Sequence, residues 1–568
     1  MPASATQPGS SRLPGLALLL AMAALPALPQ TAPQASIHPS SPTNGLYRIA
    51  GRVVNAATGE PVRHATVAVL AEEDSHTIAS AESDSEGRFA LERLPAAKYQ
   101  LTASKRGFRT AFYDEHDEFS TAIVTGPGQE TSSLIFRLTP GAVLYGVVTT
   151  DGGDPVEGAK AMLFLKSHDG KPGSRIAQSD STVTDDTGAY EFDDLAAGEY
   201  LLAVAAEPWY ALHSSSSRSR HKPAGAADSD NAANEPTAAL DVVYPVTFYD
   251  STPEEAAATR IVLAGGSREE ANINLHPVPA LHIAVDTPRK QDGSIARAEL
   301  RQTVFGAVVS AETAGFLDAM QSQTNEFTGV APGHYELVQG DPPRIVDLDA
   351  SVSQHLDPTL GTPTVSVHGS LRSASGQPLA GDGSVTLESL DAARPQNPIQ
   401  TVCIRGAFSF PAVPPGDWEL WIESSGRQLP IASTTVGNRA RPGNLVAVRD
   451  RPLSVVVAVS EAATRVQGFA RKDGKGVAGV MVVLAPKDTA AFQGLVRRDQ
   501  SDSDGSFSLH DVVPGQYTLV AIEDAWELDW AQPEVIGRYL PGGIAVTVTD
   551  SSGKLLTLAV PVPVETRQ

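Results

Sequence analysis

Apolar and polar residues alternate along this chain in short runs, as in Val53, Val67 and Val69, or in Phe507 and Leu509 followed by Tyr517 and Leu519. A period of two marks strands with one buried face. "GEPV", "GQPL" and "DPVEG" supply Gly and Pro where the chain must reverse, and "VPPGD" and "VPGQ" suit tight turns. No stretch carries a long amphipathic helical stripe. Short strands with turn signals about every 8 to 12 residues predict an all-β chain.

The alternation repeats. "SDSEGRFALERLPAAKYQLTA", "TDDTGAYEFDDLAAGEYLLAV", "IRGAFSFPAVPPGDWELWI" and "SDSDGSFSLHDVVPGQYTLVA" share one pattern, and "NEFTGVAPGHYELV" is a degenerate copy. Their ring residues keep a fixed distance: Phe89 to Tyr99, Tyr190 to Tyr200, Phe408 to Trp418 and Phe507 to Tyr517 are each 10 apart, while Phe327 to Tyr335 is 8. Upstream, Gly51, Gly146, Gly369 and Gly468 precede the first ring by 38, 44, 39 and 39 residues. Units of comparable size are the natural reading of such a period.

The order G-x-V, G-x-P-V-x-x-A-x-V, D-x-x-G-x-F and P-G-x-Y resembles the carboxypeptidase regulatory-like domain, a transthyretin-like sandwich related to Cna-B-type surface modules. The resemblance is good in four units and poor in the third. It implies a tandem array of about five Ig-like or transthyretin-like antiparallel β-sandwiches in a secreted bacterial protein, with an accessory or adhesive role and no catalysis. The expected limits are 46–140, 141–280 with a disordered insertion at 211–240, a divergent unit at 281–362, then 363–462 and 463–565.

Composition adds location. Arg12 precedes the apolar run "LPGLALLLAMAALPALPQ", which reads as a signal peptide within residues 1–35, cleaved between Ala23 and Ala35. No second hydrophobic segment follows, so the expectation is a secreted or periplasmic protein of the cell envelope without a further membrane span. A net charge of -23 opposes nucleic acid as a partner, because phosphate neutralisation needs clustered Lys and Arg. Envelope proteins or extracellular polysaccharide remain as partners. Cys403 is the only cysteine, so no internal disulfide forms, and its alternating run makes it a buried small apolar residue.

Candidate chemistry is sparse. No H-x-x-E, H-E-x-x-H, G-x-S-x-G or P-loop motif is present. The chain therefore reads as a non-enzyme needing no cofactor. Asp502, Asp504 and Asp511 around Gly505 imitate part of a calcium loop, but the equivalents of Asp504 are Glu86, Thr187 and Arg405, which a shared metal site would not accept. Calcium is thus a minority candidate confined to the last unit. Aromatic residues beside acids are the other signal. Trp418 shares a strand face with Leu420 and Ile422 and belongs to the core, whereas Trp209, Trp421, Trp526 and Trp530 are candidate ligand-binding rings. They support an alternative to the structural reading, a carbohydrate-binding array at the cell surface.

Overall fold

In the first repeat the alternation folds into eight strands: β1 (Tyr47–Asn55), β2 (Thr66–Ala71), β3 (Thr77–Glu82), β4 (Arg88–Leu94), β5 (Lys98–Lys105), β6 (Phe108–Phe112), β7 (Ile123–Val124) and β8 (Leu134–Leu138). One sheet runs β4-β1-β8 and the other β3-β2-β5-β6, with β7 also paired to β5. The computed structural model describes residues 47–567 apart from 73–74, 168–174, 214–237, 287–297, 314, 317–323, 341–342, 358, 374, 380, 392–397, 461–463, 488–491 and 550–553. The expected signal peptide and nearly all of the expected insertion lie outside the described residues.

Five separate hydrophobic cores follow one another along the chain, so the fold is an array of five sandwiches. Their pairing is mostly antiparallel, and in the fifth sandwich Gly515–Glu523 runs parallel to Val562–Thr566. The opening strand lies parallel to a late strand in every sandwich: Gly51 faces Leu134, Val143 faces Arg268, Ile283 faces Gln354, Val367 faces Leu453 and Arg465 faces Leu555. A parallel pair requires a long crossover, and here the rest of the sandwich supplies it. In the fourth sandwich the two sheets are also joined, because Ile399–Ile404 pairs with both Gly383–Ser389 and Ala407–Val413.

The register explains the spacing seen in the sequence. Gly51, Gly146, Gly369 and Gly468 are the direct cross-strand partners of Phe89, Tyr190, Phe408 and Phe507. In the last two pairs the ring occupies the space a side chain would need. A Cβ at Gly468 would sit 2.6 Å from Phe507 Cζ, and one at Gly369 only 1.8 Å from Phe408 Cζ. The third sandwich has Ile283 opposite Phe327 instead, so it fills the same place from both sides.

The second ring of each pair also has a fixed task. Tyr99, Tyr200, Tyr335 and Tyr517 donate their hydroxyls to the carbonyls of Pro95, Ala196, Ala331 and Val513, at 3.0, 2.9, 2.8 and 2.8 Å. Trp418 does the same with its indole N–H, 3.2 Å from the carbonyl of Pro414. Each ring therefore fills the core and fastens the turn before its own strand, and burying it is worth roughly 2 kcal/mol. Because Tyr335 takes part, the divergent third unit carries the same corner as the other four.

A third repeated device was less visible in the sequence. The hydroxyls of Ser83, Thr184 and Ser501 are buried. Each accepts from one backbone N–H and donates to one carbonyl of the preceding segment: Ala65 and Val62, Ala159 and Val156, Val480 and Val477, at 2.6 to 2.9 Å. A hydroxyl supplies both roles at once, which is why Ser or Thr precedes Asp at these corners. Cys403 is buried in the core of the fourth sandwich, as its pattern predicts, and burial pushes its thiol pKa up.

Candidate functional site

The corner "SDSDG" of the fifth sandwich is where the repeat turns into something else. Gly87, Gly188 and Gly505 hold φ of 73°, 73° and 83° in the corresponding turns, a region glycine enters without strain. In the first two turns the Asp caps its own loop. Asp84 Oδ1 accepts from the N–H groups of Glu86 and Arg88, both at 2.8 Å, and Asp185 Oδ1 from those of Thr187 and Ala189, both at 2.9 Å. In the fifth sandwich Asp504 caps instead, accepting from Ser506 N–H at 2.9 Å. That leaves Asp502 to face the first sandwich.

The contact it makes there is extensive. Asp502 Oδ2 pairs with Lys98 Nζ at 2.6 Å, and its Oδ1 accepts from Ala122 N–H at 3.3 Å. Ser503 N–H donates to the carbonyl of Ala122 at 2.9 Å, and Ser503 Oγ accepts from Val124 N–H at 2.8 Å, so the turn docks on the free edge of β7. Gln500 Nε2 donates to the Asp114 carbonyl at 2.5 Å and to Thr121 Oγ1 at 2.7 Å. Arg498 pairs with Asp117 at 3.2 Å and lies over Phe119, Trp526 and Trp530, 5.0, 6.0 and 3.8 Å from their ring centres. Lys98 also reaches Glu72 at 3.2 Å. First and last sandwich are thus clasped together.

Burial sets the protonation of this clasp. Loss of water raises Asp502 to about 6 despite the pull of Lys98, and raises neighbouring Asp499 to about 7 despite the N–H of Ser508. Burial works against the charge of Lys98 too, but pairing with Asp502 wins and raises its pKa. One ion pair has opposite consequences for its partners because the side chain of Asp502 is 4% exposed and that of Lys98 25%.

The sequence candidates are sorted accordingly. The three calcium candidates do not converge: Lys98 takes the cation's place at Asp502, Asp504 caps its turn, and Asp511 pairs with Arg427 of the fourth sandwich at 2.7 Å. Among the described residues no group of three acid, His or Cys side chains is arranged to hold a metal. Trp526 stacks on His116 of the first sandwich, 5.0 Å between centres, and donates to the Gly479 carbonyl at 3.0 Å. Trp530 lies nearly buried beneath Arg498. Trp209 is 94% exposed beside Tyr210 and meets none of the others. Trp421 is half-buried and, with Trp530, lines a cavity of about 420 Å³ where the first, fourth and fifth sandwiches meet. Trp418 is core, 1% exposed.

Sequence reasoning missed Lys98, Gln500, Asn444 and Arg498. The one available signal was the stretch "RRDQ" immediately ahead of "SDSDG", two cations and an acid together inside one strand.

Tandem β-sandwiches are therefore the class that fold and contacts define. Residues 48–139 match the family model of the carboxypeptidase regulatory-like domain, so the first sandwich is a domain of that family. Residues 464–537 match the model described as "BOS complex subunit NOMO1-like, second beta sandwich domain". No curated protein matches the chain. Among solved structures, the chain is similar to a shaft pilin SpaA of Lactobacillus rhamnosus GG (10% identity, 42% of this chain and 98% of that one, TM-score 0.20). It is also similar to a minor pilin of Streptococcus agalactiae (14%, 35% and 96%, 0.18). A third is a pair of B repeats of the Staphylococcus aureus collagen-binding protein (9%, 72% and 99%, 0.12). At such identities and scores the overlap carries no functional meaning.

Proposed function

We propose that this chain is a secreted or periplasmic, non-enzymatic structural or adhesive protein of the cell envelope, built from five carboxypeptidase regulatory-like sandwiches with limits near 46–140, 141–280, 281–362, 363–462 and 463–565. The carrying observation is the fate of the buried polar cluster at the clasp. Asp502, Lys98, Gln500 and Arg498 are spent on holding one sandwich against another, where an enzyme would aim such groups at a substrate. The described residues between Leu281 and Leu356, in the region with least resemblance to its neighbours, include one more hydrophobic core, with Phe327 and Tyr335 in it. Among the described residues no helix is long and apolar enough to cross a membrane, which leaves strand-built membrane passage unaddressed.

The reading is tested by fractionating cells that express the tagged full chain and sequencing the N-terminus of the product. Recovery outside the cytoplasm with a new N-terminus between Ala23 and Ala35 is the expected result, and an intact cytoplasmic chain overturns it. The clasp has its own test in limited proteolysis: Asp502→Ala exposes the joint of the first and fifth sandwiches to cleavage that the parent chain resists. The carbohydrate-binding alternative gains support from one specific observation, the meeting of Trp421 and Trp530 at one cavity.

A further inference from the structure

The cavity beneath the clasp has three properties that a mere packing gap lacks. Asn444 lines it and is 2% exposed, yet neither its Nδ2 nor its Oδ1 has a hydrogen-bond partner among the described residues. A buried amide with donor and acceptor both unmet costs about 1 to 3 kcal/mol unless something fills the need. Trp421 presents the outer face of the strand Gly416–Ser424 to the same cavity. Unlike Trp526 and Trp530, it has no ring or cation stacked on it among the described residues. Asp499 and Glu419 add carboxyl groups to the lining.

A second cavity of about 710 Å³ adjoins the first, sharing Leu429, Pro430, His510 and Asp511 with it. Its charge is inverted relative to the molecule. In a chain of net charge -23 it is lined by Arg427, Arg465 and Lys554 against a single acid, Asp511, which Arg427 already neutralises at 2.7 Å. His510 registers the result: burial first, then the charge of Arg465, lowers its pKa. Arg465 and Lys554 are left as cations without an acid in the cavity wall, a focused positive spot on an acidic surface.

We propose that the joined cavities bind an acidic saccharide, with a sugar ring against Trp421, hydroxyls exchanging hydrogen bonds with Asn444, and the ligand's carboxylate or sulfate held by Arg465 and Lys554. Each wall group meets a matching part of such a ligand. An aromatic face suits the C–H side of a sugar ring, and one amide satisfies a hydroxyl's donor and acceptor together. A nucleotide also offers a ring and an anion, but it presents fewer hydroxyls to Asn444, Asp499 and Glu419. The site lies between sandwiches, where small-molecule sites commonly form. This inference rests on the carbohydrate-binding alternative proposed above and gives it a ligand class.

The test applies the full chain to an array of uronate-containing, sialylated, sulfated and neutral glycans, followed by calorimetry with whichever glycan is retained and with AMP as competitor. Retention of acidic glycans is expected, with affinity falling as salt rises. Trp421→Ala should weaken binding at least about tenfold while the melting temperature stays that of the parent. Arg465→Glu with Lys554→Glu should abolish the preference for acidic over neutral glycans. The proposal is overturned by a folded chain that retains no acidic glycan, by Trp421→Ala or the charge-reversed variant binding acidic glycans as the parent does, or by AMP binding more tightly than any glycan. Such a failure, with secretion and the clasp intact, removes the ligand and leaves the structural reading standing.

Discussion

Asp84, Asp185 and Asp502 stand at the same corner of three sandwiches and lead different chemical lives. The first two are exposed, and hydrogen bonds from the N–H of Arg88 and from the hydroxyl of Thr187, respectively, hold their carboxyls below the usual range. Asp502 is buried against Lys98, and that burial pushes its carboxyl pKa up to about 6. The turn's local geometry is the same in all three, so what differs is the neighbour. A motif kept for folding became an interface group once the next residue pair, Ser503 and Asp504, took over anchoring and capping.

The comparison breaks most visibly through Lys98. Lys98→Met strands the Asp502 carboxylate in a buried place and should destabilise the clasp by about 3 kcal/mol, whereas removing both charges with Lys98→Met and Asp502→Leu recovers much of the loss. Denaturant unfolding followed at Trp526, which sits in the clasp, reads both variants. If the single variant is as stable as the parent, the clasp does not depend on this pair.

A pH series is the next largest effect. A carboxyl whose pKa is raised on folding keeps its proton longer in the folded chain than in the unfolded one. The folded state is then favoured at low pH and loses that advantage as pH rises through about 6 for Asp502 and about 7 for Asp499. Asp499→Asn removes the second titration, so its stability relative to the parent should improve from pH 5 to pH 8, by about 1 to 2 kcal/mol given the carboxyl's partial access to the cavity. A pH-independent difference between the two proteins contradicts the assignment. Asp84 and Asp185 have lowered pKa values and contribute the opposite slope, lost as pH falls below the carboxylate range.

The buried hydroxyls at the same corners give a smaller, shared effect. Ser83→Ala, Thr184→Val and Ser501→Ala each leave an N–H and a carbonyl unmet and should cost about 1 to 3 kcal/mol within their own sandwich, seen as faster amide exchange at Ala65, Ala159 and Val480. Smallest of all, Asp84→Ala should alter only its own turn, with a melting shift several-fold below that of Lys98→Met. Millimolar calcium should leave the melting of parent and Asp504→Ala alike unmoved, and a calcium-dependent rise in the parent alone restores the metal reading.

Much of the fold was legible because its causes are local. Period-two alternation buries one face, Pro and Gly place the turns, and two rings at a fixed spacing in four of the five units betray a repeated core layer. The poor third unit hid its kinship because Phe327 and Tyr335 are closer together and its opening glycine is absent, yet Tyr335 fastens the same corner. The candidate site was legible only in pieces. Trp421 and Trp530 stood out as aromatic residues beside acids, but nothing linear said that they share a cavity while Trp526 is consumed by His116.

By itself the sequence determined the strands, the turns, the core rings and the number of sandwiches, since each depends on residues within a few tens of positions. Tertiary structure alone decided that Gly51, Gly146, Gly369 and Gly468 lie opposite the rings and that Lys98 meets Asp502, about four hundred residues away along the chain. It also decided which charges lose their water. The physical reason is that desolvation and ion pairing depend on what arrives from elsewhere, and no pattern in "SDSDG" states which surface will come to cover it.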